Sequence, residues 1–334
     1  MSELALGGTS VRAWSCSPAH GPEGAIPRKP TVGDRLAALI AVAAAAMWAL
    51  PHVSPAWTNA LDAPAEERTE RAGADSARPV LAPPGREYVL GAYGGVSYTH
   101  PGEVSIVNPG KTDMTMRDFG WIGRPFRSPI YYGLRAQRWV PGASFGTMLD
   151  FTHAKAIARF EDEASFSGVR EGKALPPRAK VRDVFRHLEF SHGHNMLTLN
   201  GLFRMPVFWR GVRPYFGLGG GVSVPHTEVG LREEPDRTYE YQYAGVVGQL
   251  LAGLEVRLLG QTSVFLEYKF TYAPYDVPLS HVRYGWLAVT DLWRQLRAWI
   301  DRERPPGGRL RTTLATHHGI GGLLVRVTPA GAAR

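Results

Sequence analysis

Hydrophobic and polar residues alternate with a period of two in eight separate segments, a pattern that predicts β-strands with two different faces. In the segment 263–273, Leu266 and Tyr268 share one face, whereas Glu267 and Lys269 share the other. A soluble barrel would bury the apolar face, but here the charged face must point inward, as in membrane barrels. The predicted strands are 88–99, 130–139, 144–155, 190–204, 213–225, 239–256, 263–273 and 316–327.

The connections between these strands alternate between long and short. The long connections are 100–129, 156–189, 226–238 and 274–315, and the short ones are 140–143, 205–212 and 257–262. Bacterial outer-membrane barrels have an even number of strands, short turns on the periplasmic side and longer loops on the outside. The sequence therefore predicts an all-β fold, an eight-stranded antiparallel transmembrane β-barrel over residues 88–327 in the bacterial outer membrane.

Two further charged residues fall on the predicted inward face. Arg135 and Asp150 directly follow Leu134 and Leu149, so in a strand they point to the opposite side. They would join the inward charges of the segment 263–273. Because an unpaired charge inside a narrow barrel is costly, we expect these inward charges to pair with one another.

The last long connection contains a helical pattern. Val289, Leu292, Leu296 and Ile300 recur at helical spacing, with arginines alongside, which predicts a short helix. Two positions for this helix remain open. It either lies flat at the outer surface of the membrane or packs over the mouth of the barrel.

The N-terminal part of the chain has the composition of a secretion signal. Arg28, Lys29 and Arg35 precede the apolar segment 36–50, which is followed by small residues that a signal peptidase reads. The alternative, a membrane anchor, is disfavoured because a spanning helix needs about 20 apolar residues. We assign residues 1–60 to an N-terminal extension and signal peptide, 61–87 to a flexible leader and 328–334 to a tail.

Charge and cysteine content limit the possible binding partners and metal ligands of the chain. The 38 basic residues exceed the 30 acidic ones, so the chain favours anionic partners such as lipopolysaccharide or nucleic acid. No recognisable nucleic-acid module organises the basic residues, and we therefore expect no nucleic-acid partner. The single cysteine, Cys16, lies within the predicted extension, so the mature chain would have no disulfide and no cysteine-ligated metal.

Histidines concentrate at the long-loop ends of the predicted strands, which meet at one rim in a closed barrel. The residues that we expect to be catalytic there are His153, His192, His226, Glu228, Glu240 and Asp150. Imidazole and carboxylate groups together can bind a metal or carry out general acid and base chemistry. His153, His192 and His226 are accordingly the candidate ligands of a divalent metal of open identity. The alternative is that polar strand ends simply tolerate histidine.

Several stretches of the chain resemble the lipid A oxidase family of outer-membrane barrels. They are 129–135 (PIYYGLR), 149–155 (LDFTHAK), 190–195 (FSHGHN), 199–201 (LNG), 225–229 (PHTEV), 237–242 (RTYEYQ) and 267–272 (EYKFTY). The resemblance implies oxidation of the proximal glucosamine of lipid A to 2-aminogluconate, with molecular oxygen as co-substrate and hydrogen peroxide as by-product. It also implies insertion by the barrel-assembly machinery, although this chain lacks the C-terminal aromatic residue that many barrels present.

Three functions follow as hypotheses. The first is an enzyme of the outer leaflet that oxidises lipid A, and the second is a non-enzymatic barrel that serves as an anchor, adhesin or surface-structure protein. The third is a lipid A acyl hydrolase or transferase, for which Ser191 beside His192 is the nearest candidate pair. Adjacent strand residues point to opposite faces, which disfavours the third hypothesis.

Overall fold

The computed structural model describes residues 87–234, 237–279, 292, 295–298, 300–303 and 307–327. The predicted signal peptide, nearly all of the predicted leader and the predicted tail lie outside the described residues. In the part of the chain that the structure describes, no helix is long and apolar enough to cross a membrane.

The described residues form sixteen strands and little helix. In chain order the strands are β1 (Glu87–Thr99), β2 (Gly102–Asn108), β3 (Thr112–Phe119), β4 (Trp121–Ile122), β5 (Tyr132–Trp139), β6 (Phe145–Ala158), β7 (Glu163–Arg170), β8 (Lys173–Ala174), β9 (Arg178–Lys180), β10 (Phe185–Arg204), β11 (Val212–Ser223), β12 (His226–Leu231), β13 (Thr238–Tyr241), β14 (Gly245–Arg257), β15 (Thr262–Pro278) and β16 (Arg309–Val327). A single helical turn, α1 (Val181–Val184), precedes β10, and a 3₁₀ turn (Trp209–Gly211) precedes β11.

Eight of these strands close into an antiparallel ring in the order β1, β5, β6, β10, β11, β14, β15, β16. The ring closes because β16 pairs with β1, from Thr316 opposite Thr99 to Val327 opposite Tyr88. Closure pairs the backbone groups that the edge strands of an open sheet would expose, and this is what allows a sheet to span a bilayer. The predicted eight-stranded barrel is confirmed.

The outside of the ring is apolar. In β15, Leu266 and Tyr268 are 70% and 51% exposed, whereas Glu267 and Lys269 are 4% and 0% exposed. The other ring strands expose large apolar side chains in the same way, among them Leu90, Leu199, Leu218, Leu250 and Leu323. A closed ring with an apolar exterior and a polar interior is the architecture of outer-membrane barrels. The chain is therefore an outer-membrane β-barrel.

Paired charges fill the inside of the ring. Arg135 donates hydrogen bonds to both carboxylate oxygens of Glu267, at 2.8 and 2.9 Å, and Lys269 donates to Asp150. The hydroxyl group of Tyr93 donates to the same aspartate at 3.1 Å. Buried charges are tolerated only when they are paired and hydrogen-bonded, and this network meets both conditions. The predicted inward set of four charges is confirmed.

Beyond the long-loop end of the ring, the sheet continues outside the membrane. β15 and β16 extend to Pro278 and Arg309, and β2 pairs with the added part of β16. β2, β3 and β7 then pair in succession. The apolar core of this extension includes Val104, Ile106, Met114, Met116, Phe166, Leu310 and Leu314. The long loops that the sequence predicted are thus partly folded into sheet.

Several strand boundaries differ from the prediction, and two of these differences affect the strands beyond the ring. The segment 239–256 is not one strand but two, because residues 242–244 turn away from the ladder and their backbone bonds go to Pro225 and Ser223. β10 begins five residues earlier than predicted, at Phe185. In the last long connection, residues 292, 295–298 and 300 are helical, as predicted, and positions 289–291, 293, 294 and 299 lie outside the described residues.

Candidate functional site

A bulge in β10 shapes the wall at the level where the ring leaves its apolar belt. Phe190 pairs with Ala156 and His194 with Ala154, so the three residues 191–193 lie opposite the single residue Lys155. Gly193 in the bulge has φ of 138°, a backbone conformation that favours glycine. Bulges redirect side chains and are frequent beside functional sites. Here the bulge leaves His192 exposed on the outer surface while His194 is fully buried.

Three potential metal ligands lie together beside the bulge, and we call His187, Glu189 and Glu228 the outer-face cluster. The Nδ1 atom of His187 lies 3.2 Å from Oε1 of Glu228 and 3.6 Å from Oε1 of Glu189. One ligand atom from each residue lies within 4.8 Å of the others. Nitrogen and oxygen ligands of a bound Zn²⁺ lie about 2.0–2.2 Å from the ion, and the three ligand atoms here are close enough together for one ion to lie between them.

The cluster is assembled by strand pairing. β12 pairs with the outer part of β10, and this register places Glu228 directly opposite Glu189. β12 also pairs with β13, and neither of these two strands belongs to the ring of eight. Arg237, just before β13, donates a hydrogen bond to Glu228 Oε1 at 2.9 Å.

Electrostatics hold Glu228 near the point of protonation. Burial raises the pKa of this carboxyl group, and the charge of Glu189 raises it further. Arg237 acts in the opposite direction, and the resulting pKa is about 7. A carboxyl group with such a pKa can accept or release a proton at neutral pH.

Two predicted histidines lie together beside the outer-face cluster. The rings of His192 and His226 have centroids 4.8 Å apart. Tyr239 and Tyr241 also pack on His226, at centroid distances of 4.5 and 4.8 Å. Burial, followed by the influence of His192, lowers the pKa of His226 to about 4, so this imidazole is neutral at pH 7. Its Nδ1 atom is buried and has no hydrogen-bond partner among the described residues.

His153 lies on the same outer side of the wall but belongs to a separate contact group. Its Nδ1 atom is hydrogen-bonded to the side chain of Asn195 at 2.8 Å, and its ring stacks on Tyr132. Lys155 and His192 both act on His153 electrostatically. The three predicted histidines thus share one side of the wall, although ring contact joins only His192 and His226 among them.

Asp150 and Glu240 lie elsewhere. Asp150 belongs to the charge network inside the ring, where Lys269 and Arg135 pair with it. Glu240 alternates along β13 with the two tyrosines that pack on His226, so its side chain points to the other face of that strand. It accepts a hydrogen bond from Gln242 at 2.6 Å. The structure therefore does not place these two carboxylates with the outer-face cluster.

Sequence reasoning missed three residues of the site: His187, Glu189 and Arg237. The first two were assigned to a loop because β10 was predicted to begin at residue 190. The signal that was available is the spacing of His187 and Glu189, which are two residues apart, as are side chains on one face of a strand. Their approach to Glu228 depends on the pairing with β12, which no local pattern reveals.

Comparison with known proteins does not assign the chain to a family. No protein-family model and no curated protein sequence matches the chain. Among solved structures, the chain is similar to the outer membrane protein OprG from Pseudomonas aeruginosa, with 10% identity, a TM-score of 0.40, and coverage of 73% of this chain and 97% of OprG. It is also similar to the outer membrane protein AlkL in DMPC bilayers, with 14% identity, a TM-score of 0.34, and coverage of 80% of this chain and 100% of AlkL. The barrel assignment rests on the strand pairing and apolar exterior of this chain itself.

Proposed function

We propose that this barrel is an enzyme that oxidises the head group of lipid A in the outer leaflet. The observation that carries the proposal is the position of the outer-face cluster, on the outside of the wall just beyond the apolar belt. A lipid whose acyl chains lie against the belt would present its sugars at this level. The substrate therefore reaches the cluster laterally from the membrane. The resemblance of the sequence to the lipid A oxidase family supports the same reaction.

The reaction converts the proximal glucosamine to 2-aminogluconate. The hydrogen on C1 and the proton of the C1 hydroxyl group are lost, and the ring becomes a lactone. Molecular oxygen accepts the two electrons and two protons and leaves as hydrogen peroxide. Water then opens the lactone to the acid. The C1 hydroxyl group must be free for this chemistry, so the substrate has no phosphate at that position.

The site offers a base for the first step. Glu228, with a pKa of about 7, can remove the proton of the C1 hydroxyl group. His226 stays neutral at pH 7, so it can accept a hydrogen bond from the same sugar or donate one to it. Arg237 and His187 lie within hydrogen-bonding distance of Glu228 and hold its carboxylate in place.

A second use of the same side chains is metal binding. His187, Glu189 and Glu228 provide one imidazole and two carboxylates, a ligand set that suits a divalent transition metal. Such an ion, when bound, would mediate electron transfer from the sugar to oxygen and would polarise the sugar hydroxyl group. In that case Glu228 would be a ligand, and the proton would pass to His192 or His226.

The proposal is tested by expressing the chain in a Gram-negative host whose lipid A has a free C1 hydroxyl group and that lacks such an oxidase. Mass spectrometry of lipid A from aerobic cells should show the gain of one oxygen atom, which anaerobic growth abolishes. Glu228→Gln should abolish the gain. Glu103→Gln is the matched control, because Glu103 is an exposed carboxylate outside the cluster that forms an ion pair with Arg117.

Two other outcomes of this experiment would reject the proposal and favour a different function. Loss or gain of an acyl chain would favour a hydrolase or transferase, and the bulge does bring Ser191 Oγ to 3.3 Å from His192 Nδ1. Unchanged lipid A under all conditions, with the barrel correctly inserted, would favour a non-enzymatic barrel that serves as an anchor or adhesin.

A further inference from the structure

A loop on the outside of the wall covers a buried lysine. Residues 123–131 leave the wall between β4 and β5. The ammonium group of Lys155 donates a hydrogen bond to the backbone carbonyl of Arg127 at 2.7 Å. Lys155 is only 5% exposed, whereas Arg124 and Arg127 are exposed on the loop above it.

Within the part of the chain that the structure describes, these three cations form no ion pair with a carboxylate. Arg124 and Arg127 both act electrostatically on Lys155, so the three positive charges lie close together. Glu189 is the one negative charge that acts electrostatically on Lys155 among the described residues, and it forms no ion pair with this lysine. A buried ammonium group without a counter-charge is costly. From this concentration of unpaired positive charge we infer that the three residues form a binding site for an anionic group, a phosphate or a carboxylate.

The same loop shows that the anion belongs to a membrane lipid. Phe126 is 84% exposed and Ile130 is 56% exposed. Large apolar side chains beside cationic ones are characteristic of segments that lie at the boundary between head groups and acyl chains. Phe126 and Ile130 would insert among the acyl chains while the cations bind the head group above them. A soluble anion would make no use of these apolar groups.

The anion site adjoins the candidate catalytic site. Lys155 lies directly opposite the bulge that exposes His192, and it acts on that histidine electrostatically. One lipid head group therefore spans both sites. On the proposed function, on which this last step rests, the reacting sugar has a free C1 hydroxyl group. The anion held by Lys155, Arg124 and Arg127 must then lie elsewhere on the same head group.

The test measures lipid binding separately from turnover. Full-length barrel in nanodiscs is titrated with fluorescent lipid A that bears a phosphate away from C1, and with the same lipid after removal of that phosphate. Lys155→Met and the double variant Arg124→Gln/Arg127→Gln should each bind the phosphorylated lipid at least about tenfold more weakly, the scale of one lost charge-assisted hydrogen bond. They should bind the dephosphorylated lipid as the unmodified protein does.

The controls separate this inference from the proposed function. Arg117→Gln removes an exposed arginine that is already paired with Glu103, and its lipid affinity should not change. The loop double variant alters only exposed side chains, so it remains informative should Lys155→Met fail to fold. Equal affinity of all variants for the phosphorylated lipid would overturn the anion site. Equally strong binding of inorganic phosphate would overturn its assignment to a lipid. Selective binding by a protein that leaves lipid A unoxidised would retain the anion site and reject the oxidase.

Discussion

Glu189 and Glu228 lie directly opposite each other in neighbouring antiparallel strands. Like charges at such positions destabilise a sheet, so this pair requires a compensating positive charge. Arg237 and His187 both approach the Oε1 atom of Glu228, at 2.9 and 3.2 Å. The compensation is incomplete, because the pKa of Glu228 remains at about 7. The carboxylate pair is therefore suited to take up either a proton or a cation.

Metal binding can be measured directly. Titration of the purified barrel with Mn²⁺ or Zn²⁺ at neutral pH is expected to show one site. Glu189→Gln and His187→Asn should each weaken it by at least about tenfold, the loss seen even for residues that only support a ligand. Glu103→Gln, remote from the cluster, should bind as the unmodified protein does. Identical affinities in all four proteins would show that the outer-face cluster does not hold the ion.

The pH dependence of turnover distinguishes the two uses of Glu228. If Glu228 is the base, activity should rise with pH through about 7, because only the ionised carboxylate removes a proton. Arg237 lowers the pKa of Glu228, so Arg237→Gln should move this rise to higher pH. Glu189 raises that pKa, so Glu189→Gln should move the rise to lower pH. A pH profile that neither substitution moves would exclude Glu228 as the titrating base.

The histidines on the outer side of the wall should matter for turnover. His192→Ala and His226→Ala are expected to reduce lipid A oxidation by about 100-fold or more, the usual contribution of a positioned acid or base. His153→Ala should reduce it as well if the three act as one site. His317→Ala is the control, because His317 lies in β16 and its ring contacts Tyr98 and Phe270 instead. Full activity of all three variants would eliminate the histidine site.

The charge network inside the ring should determine stability. Lys269→Met removes the ammonium group that pairs with Asp150, leaving a buried carboxylate short of positive charge. Breaking a buried pair in this way costs about 3–5 kcal/mol. Urea unfolding in detergent, followed by the shift between folded and unfolded bands on a gel, measures the loss. Leu266→Ala, on the lipid-facing side of the same strand, should cost less, and equal losses would contradict the structural role of the network.

The orientation of the barrel can be tested with engineered cysteines. In a Cys16→Ser background, Lys111→Cys places a thiol in the turn between β2 and β3, and Gln261→Cys places one in the short turn between β14 and β15. A membrane-impermeant maleimide should label position 111 on intact cells and position 261 only after lysis. The opposite pattern would reverse the orientation that the loop lengths predict.

The sequence by itself determined the barrel. Alternation in the eight segments sets which side chains face lipid and which face the lumen, because successive strand residues point to opposite sides. It also placed the four inward charges correctly, since Glu267 and Lys269 could not face lipid. The difference in length between long and short connections predicted which end of the barrel faces outward. All of these features are local, so they can be recognised in the sequence without knowing which strands pair with each other.

Only the tertiary structure decided which polar residues meet outside the wall. His192 and His194 are two residues apart, so a regular strand would place both side chains on one face. The bulge opposite Lys155 instead leaves His192 on the surface and buries His194 against Tyr275. Glu228 reaches Glu189 because of the register of two strands that are far apart in sequence. A single inserted residue or a one-step change of register reverses the face of a side chain, and neither leaves a trace in the hydrophobic pattern.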